Sequence, residues 1–162
     1  MSTALIIVDI QNDYFPNGKM ELSKPELAAA NAAKVLDWFR KNTKDSVYHV
    51  QHIASDPALG FFLPDTTGAE IHKTVLPLEN ETVVTKSFAN SFLETGLESK
   101  LRENGVTKVV IIGMMTHMCI DATVRAAVDL GFEAVLIEDA CATRDLSYGN
   151  KTVPAEQVHY AF

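Results

Sequence analysis

A chain of 162 residues that is 47% hydrophobic can bury a full core as one globular domain, 1–162, without disulfide or metal staples. Its formal charge of −7 and pI near 5.1 argue against a nucleic-acid binder, and no basic run with interleaved aromatics opposes that. Two cysteines make no framework. With no signal-peptide pattern and no apolar run long enough to span a bilayer, the expectation is a reducing cytoplasm, no membrane contact and a small-molecule partner.

Ala4 to Val8 is an apolar run of strand length that ends at Asp9. A carboxylate at the end of a buried strand must be paired or hydrogen-bonded, so Asp9 implies a partner from elsewhere in the fold. Pro25 to Lys41 predicts the first helix. Pro25 suits its first turn, Glu26 lies near the positive end of its dipole, and Arg40 and Lys41 lie near the negative end. Ala28, Ala32, Val35 and Phe39 form its buried stripe, and Trp38 beside them is assigned to the core.

Ser46 to Ile53 reads as the second strand and carries His49 and His52. Residues three apart on a strand face opposite ways, so these two do not share one ion. His72 and His117 add no recognisable ligand spacing, and no metal is expected. Asp56 to Pro77, with Gly60, Phe61, Phe62, Pro64 and Gly68, exceeds a minimal connection and reads as a lid or pocket wall. Thr82 to Thr85 is the third strand, followed by Lys86. On its own a lysine there reads as a solvated loop charge. Leu93 to Asn104 is the next helix, stopped by Gly105.

Val109 to Ile112 is a β-branched run suited to burial on both faces, and Gly113 marks a sharp turn at its end. Thr116 is the expected N-cap of a helix running to Leu130, which places Cys119 at its third position. There a thiol meets unpaired N–H groups and the positive end of the helix dipole, which favours the thiolate; a small packed thiol is the equal alternative on position alone. Asp121, Arg125 and Asp129 follow four-residue spacing and read as a surface ion-pair ladder. Phe132 to Ile137 is the fifth strand, Cys141 beyond it a packed thiol, and Pro154 opens a last helix.

Strands alternating with helices predict a three-layer α/β/α, Rossmann-like parallel sheet with right-handed crossovers. The functional crevice of such a sheet lies beyond the carboxyl ends of its strands, and Asp9, Lys86 and Cys119 all follow strands. An acid, a cation and a thiol therefore share one rim.

VDIQNDYF around Asp9, TKSFANSF around Lys86 and GMMTHMCIDATVRAA around Cys119 resemble the three signatures of the isochorismatase-like cysteine hydrolases, the group that includes nicotinamidases and N-carbamoylsarcosine amidohydrolases. The resemblance implies strand order 3-2-1-4-5, with a sixth strand expected beyond Phe162, and a catalytic triad of Asp9, Lys86 and Cys119. It implies a Cys119 thioester, Asp9 as proton shuttle, and Lys86 holding Asp9. It also implies a cis peptide at Met114–Met115, an oxyanion hole from the backbone N–H groups of Met115 and Cys119, and Tyr14 lining a substrate pocket. The Asp-x-His metal pair of nicotinamidases is replaced here by HVQHIASDP, so neither metal nor cofactor is implied. A homo-oligomer is expected by analogy. The resulting expectation is cleavage of a carbon–nitrogen bond in a small amide, carbamoyl or ureido compound. The alternatives are vinyl-ether hydrolysis of the isochorismatase type and a non-catalytic ligand-binding protein on the same fold.

Overall fold

The two most apolar runs of the chain pair with one another at the centre of the sheet. The computed structural model describes residues 2–42 and 46–162. In it β1 (Ser2–Val8) and β4 (Val106–Met114) run parallel, with Ala4 opposite Val109 and Ile7 opposite Ile112. β2 (Ser46–His52) and β3 (Thr82–Lys86) extend the sheet on one side, and β5 (Glu133–Ala142) on the other, in the order β3-β2-β1-β4-β5. Strand order therefore reverses between β1 and β4, and the carboxyl end of that pair is the topological switch point.

Burial on both faces explains why the central stretches Ala4–Val8 of β1 and Val109–Ile112 of β4 are apolar at every position rather than alternating. Leu5, Ile7, Val110 and Ile112 pack toward Ala28, Ala32, Leu36 and Phe39 of α1 (Pro25–Asn42). Ala4, Ile6, Val109 and Ile111 pack toward Leu97 and Leu101 of α2 (Leu97–Glu103) and Ala127 of α3 (Asp121–Asp129). Each fully buried aliphatic side chain stabilises the layers by roughly 1.5–3 kcal/mol. Among the described residues no helix is long and apolar enough to cross a membrane.

Several local expectations are corrected. β4 does not stop at Ile112 but continues through Gly113 to Met114, and β5 runs on to Ala142 with an irregular register between Ile111 and Gly113. Gly113 is nonetheless irreplaceable by geometry: its φ is +135°, and a Cβ there would overlap the Val8 carbonyl oxygen. Trp38 is not core; it is 55% exposed and packs edge-on against Phe39. α2 begins at Leu97 rather than Leu93, after Gly96 at φ +71°. A hairpin of β6 (Leu146–Tyr148) and β7 (Lys151–Val153) precedes α4 (Ala155–Ala161). Its short, largely exposed strands carry no apolar alternation from which to foresee them.

A polar staple ties α1 to the β2–β3 side of the sheet. Glu81 accepts from Arg40 through both carboxylate oxygens at 2.7 Å, from Leu78 N at 2.9 Å, and lies 2.9 Å from His49 Nε2. Burial alone would raise the Glu81 pKa, but the Arg40 guanidinium, the Leu78 N–H and His49 overrule it and hold the carboxyl at about 2. His49 is itself pushed down, by burial first and against the pull of Glu81.

Two stability measurements follow. A Glu81 pKa depressed in the folded state contributes stability that is present above the usual carboxylate range and lost as pH falls toward about 2. Chemical denaturation should therefore show an acid-sensitive step worth about 2–3 kcal/mol, and Glu81→Gln should remove that step while lowering stability at neutral pH. Gly113→Ala should destabilise by about 3 kcal/mol or more in the same assay, because backbone strain and overlap with β1 act together.

Candidate active site

The register of the sheet assembles the site. Val8 lies opposite Val50, His52 lies opposite Lys86, and Val8 lies opposite Gly113 on its other side. Asp9, His52, Lys86 and the turn after β4 consequently stand side by side on the carboxyl rim. Asp9 leaves β1 with φ +52°, held by its N–H on Val50 O at 3.0 Å. This left-handed conformation aims a fully buried carboxylate across the rim instead of along the strand.

Lys86 spans the gap from β3. Its Nζ lies 2.7 Å from Asp9 Oδ2, with both side chains completely buried. The ammonium is also within hydrogen-bond distance of His52 Nδ1 at 2.9 Å, Phe88 O at 2.9 Å and Cys119 Sγ at 3.2 Å. Apart from Lys86 and Cys119, neither Asp9 oxygen has a hydrogen-bond partner among the described residues. The structure thus brings Asp9, Lys86 and Cys119 together, with Asp9 left as an acceptor.

His52 was set aside as a ligand in the sequence, and it belongs to this cluster. The opposite-face argument still holds, since His49 turns to Glu81 while His52 turns to Lys86. The signal that could have found it is its position: it ends a strand on the same rim as the other three. Its backbone is clasped by the Gln11 amide, which donates to His52 O at 2.8 Å and accepts from His52 N at 2.7 Å. Burial, and then the Lys86 charge, push its pKa down, so the ring stays neutral and Nδ1 accepts from the ammonium. Atoms of Asp9, His52 and Cys119 lie within 4.8 Å of one another, a spacing also suited to a metal ion. The positive charge bonded among them is the Lys86 ammonium.

Cys119 does not sit in an α-helix capped by Thr116. Thr116–Ile120 forms a π-helical turn ahead of α3, and the Met114–Met115 peptide before it is cis. The Thr116 hydroxyl is bound to His159 Nδ1 of α4 at 2.8 Å, and His117 Nδ1 to Thr143 Oγ1 at 2.7 Å, so side chains from α4 and from just beyond β5 pin the turn. The thiolate expectation is also corrected. Burial first and the Asp9 charge second push the Cys119 pKa far up, and Lys86 offsets only part of this. The balance favours the protonated thiol at rest. Cys141, buried with its thiol on Ile137 O at 3.4 Å, is pushed up to about 12 and is a packed thiol.

Tyr14 is buried and packs edge-on against Phe62, with ring centroids 4.6 Å apart. Its pKa is raised by burial, then by the charges of Cys119 and Asp9, which places the phenol beside the cluster. Asp13 fixes this pair: its carboxylate accepts from Phe62 N at 2.7 Å and Lys19 N at 3.1 Å, and a Cβ at Gly68 would collide with it. The long 56–77 connection is therefore pinned to the loop after β1. The Asp121–Arg125 pair is present at 2.8 Å on the surface of α3, without Asp129.

An isochorismatase domain model matches residues 3–153. An uncharacterized isochorismatase family protein of Bacillus subtilis is 59% identical over 162 residues, covering 100% of this chain and 89% of that protein. A crystal structure described as an isochorismatase hydrolase of Oleispira antarctica superposes with a TM-score of 0.93 at 48% identity, covering 99% of this chain and 86% of its own. The crystal structure of N-carbamoylsarcosine amidase from Thermoplasma acidophilum superposes with a TM-score of 0.81 at 27% identity, covering 89% and 86%.

Because the Asp9 charge raises the Cys119 pKa and Lys86 lowers it, Asp9→Asn should shift the thiol toward acidity. Ultraviolet titration of thiolate absorbance, with Cys141→Ala as background, should show Cys119 ionising at lower pH in the variant, and iodoacetamide should label it faster near neutrality. An unchanged titration would mean that Asp9 does not act on the sulfur.

Proposed function

The chain belongs to the isochorismatase family of hydrolases, and from that premise we propose that it is a cysteine hydrolase that cleaves a carbon–nitrogen bond of a small amide, carbamoyl or ureido compound. The observation that carries this reading is a buried thiol bonded to Lys86 Nζ beside a carboxylate that no other donor occupies. That arrangement supplies a nucleophile, a base for its proton, and a fixed cation to stabilise the charge that develops on sulfur.

Asp9 takes the Cys119 proton as Sγ attacks the carbonyl carbon, so ionisation of the thiol is coupled to bond formation. A pKa raised at rest is compatible with this, because the thiolate need not accumulate. The tetrahedral oxyanion is received by the backbone N–H groups of Met115 and Cys119. Collapse breaks the carbon–nitrogen bond as Asp9 returns the proton to nitrogen, which releases the amine and leaves an acyl thioester. Water then attacks the thioester, giving one proton to Asp9. The acid departs, and the proton passes back to Sγ. Lys86 holds Asp9 in place throughout, His52 orients Lys86, and Tyr14 lines the acyl pocket. The amidase among the structural neighbours supports a carbon–nitrogen bond as the target.

The test is intact-protein mass spectrometry after brief incubation with a panel of small amides, carbamoyl compounds and ureido acids, alongside an assay for released ammonia or amine. An adduct on the wild-type chain, absent from Cys119→Ala, is the expected result, with turnover in the variant lower by about 10³-fold or more. Amine release by Cys119→Ala at the wild-type rate would end the proposal.

A further inference from the structure

A π-helical turn is a rare conformation that recurs at functional sites. The one that presents Cys119, Thr116–Ile120, closes through Ile120 N on Met115 O at 3.2 Å. Its first two side chains are both engaged by the last helix and the residue after it. Thr116 is 3% exposed, and its hydroxyl lies 2.8 Å from His159 Nδ1 of α4. The His117 ring lies edge-on to Phe162, with centroids 6.3 Å apart.

α4 is seven residues long and buries only Ala155 and Val158. A helix so short is not stable by itself and stays folded through its contacts. Among the described residues, His159 is the one side chain of α4 that hydrogen-bonds outside the helix, and that bond goes to the nucleophile turn. Its far side selects the tautomer. Glu138 Oε2 lies 3.4 Å from Nε2, which calls for the proton on Nε2 and leaves Nδ1 to accept from the Thr116 hydroxyl. The buried hydroxyl would otherwise lose its acceptor, at a cost to the turn and not only to α4.

On the carbon–nitrogen hydrolase reading, we propose that His159 is a positioning residue for the nucleophile: by accepting from Thr116 it fixes the turn that carries both the Cys119 sulfur and the Cys119 N–H. His159 touches no reacting atom and acts through Thr116, at the start of that turn. Attack on a carbonyl carbon needs an approach of about 3–3.5 Å, and misplacement by about 1 Å costs on the order of a hundredfold in rate. Lys86 Nζ fixes the sulfur from one side at 3.2 Å, and the bond at Thr116 fixes the backbone beneath it. His117 Nδ1 is separately bonded to Thr143 Oγ1 at 2.7 Å, so removing His159 leaves the turn folded and frees only its first residue. The loss therefore falls on the chemical step and not on substrate binding.

Two variants separate the hydrogen bond from packing. His159→Phe keeps a ring and loses the acceptor, whereas His159→Asn loses bulk and keeps an amide oxygen near the place of Nδ1. With the most rapidly cleaved compound of the amide, carbamoyl and ureido panel, His159→Phe should lower kcat about ten- to hundredfold with KM within about threefold. His159→Asn should return kcat to within about threefold of the wild-type value. Thr116→Val breaks the same bond from the other end, so it should match His159→Phe, and the double variant should be no slower than either by more than about twofold. It also carries the test should His159→Phe fail to fold. Hydrogen exchange needs no turnover: amides 116–120 should exchange about tenfold faster in both single variants, with those of β1 and β4 unchanged. Wild-type kcat in Thr116→Val, a loss that His159→Asn does not recover, fully additive losses in the double variant, or unchanged exchange would each overturn the proposal. Faster exchange at the turn with no amine released by the wild-type chain would sink the reaction and keep the brace. Amine release with kcat unaltered by the variants would do the reverse.

Discussion

The rest of the site depends on one buried ammonium. Lys86 is fully removed from water, and an isolated ion in that position would be unstable by several kcal/mol. It persists because Asp9 neutralises it and because His52 Nδ1, Phe88 O and Cys119 Sγ lie within hydrogen-bond distance of it. Each of those partners comes from a different segment, so the charge ties β1, β2, the loop after β3 and the turn after β4 to one geometry. Taking away any partner would strand a charge or a donor in a dry environment, and this interdependence keeps the rim rigid.

The same cluster decides the state of the sulfur. A helix N-terminus and a lysine both favour a thiolate, but burial and an adjacent carboxylate disfavour it more, and the second pair prevails. The outcome is a neutral thiol next to a ready acceptor. Such a pair resists adventitious oxidation and alkylation at rest, since the thiolate is the reactive form, and it ionises when an electrophilic carbon takes up the negative charge. Cys141 is a useful contrast. It is equally buried but donates to a backbone carbonyl, and among the described residues no cation is hydrogen-bonded to its sulfur.

Around this centre the fold supplies placement. Gly113 lets β4 approach the Val8 carbonyl, which sets the nucleophile turn against Asp9. Asp13, itself buried, links the loop after β1 to the 56–77 segment and holds Phe62 against Tyr14. Thr143 links the segment beyond β5 to His117. The segments flanking the cluster are thus connections tied down by single polar contacts.

What the amino-acid order determined was whatever is repeated locally: apolar runs long enough for buried strands, a helical stripe in α1, and polar or reactive residues punctuating strand ends. Those features carried the α/β class, the strand positions to within a few residues, and the expectation that Asp9, Lys86 and Cys119 share a rim. Only the tertiary structure decided what depends on neighbours distant in the chain. His52 looks like any strand histidine until register sets it beside Lys86, and Trp38 looks like core until α1 is docked with that side outward. Thr116 has the composition of a cap, yet its hydroxyl is taken by His159, forty-three residues away. The physical reason is common to these cases: secondary structure follows from periodicity within a few residues, whereas protonation, hydrogen-bond pairing and exposure are set by desolvation and charge, which exist only once the layers have closed.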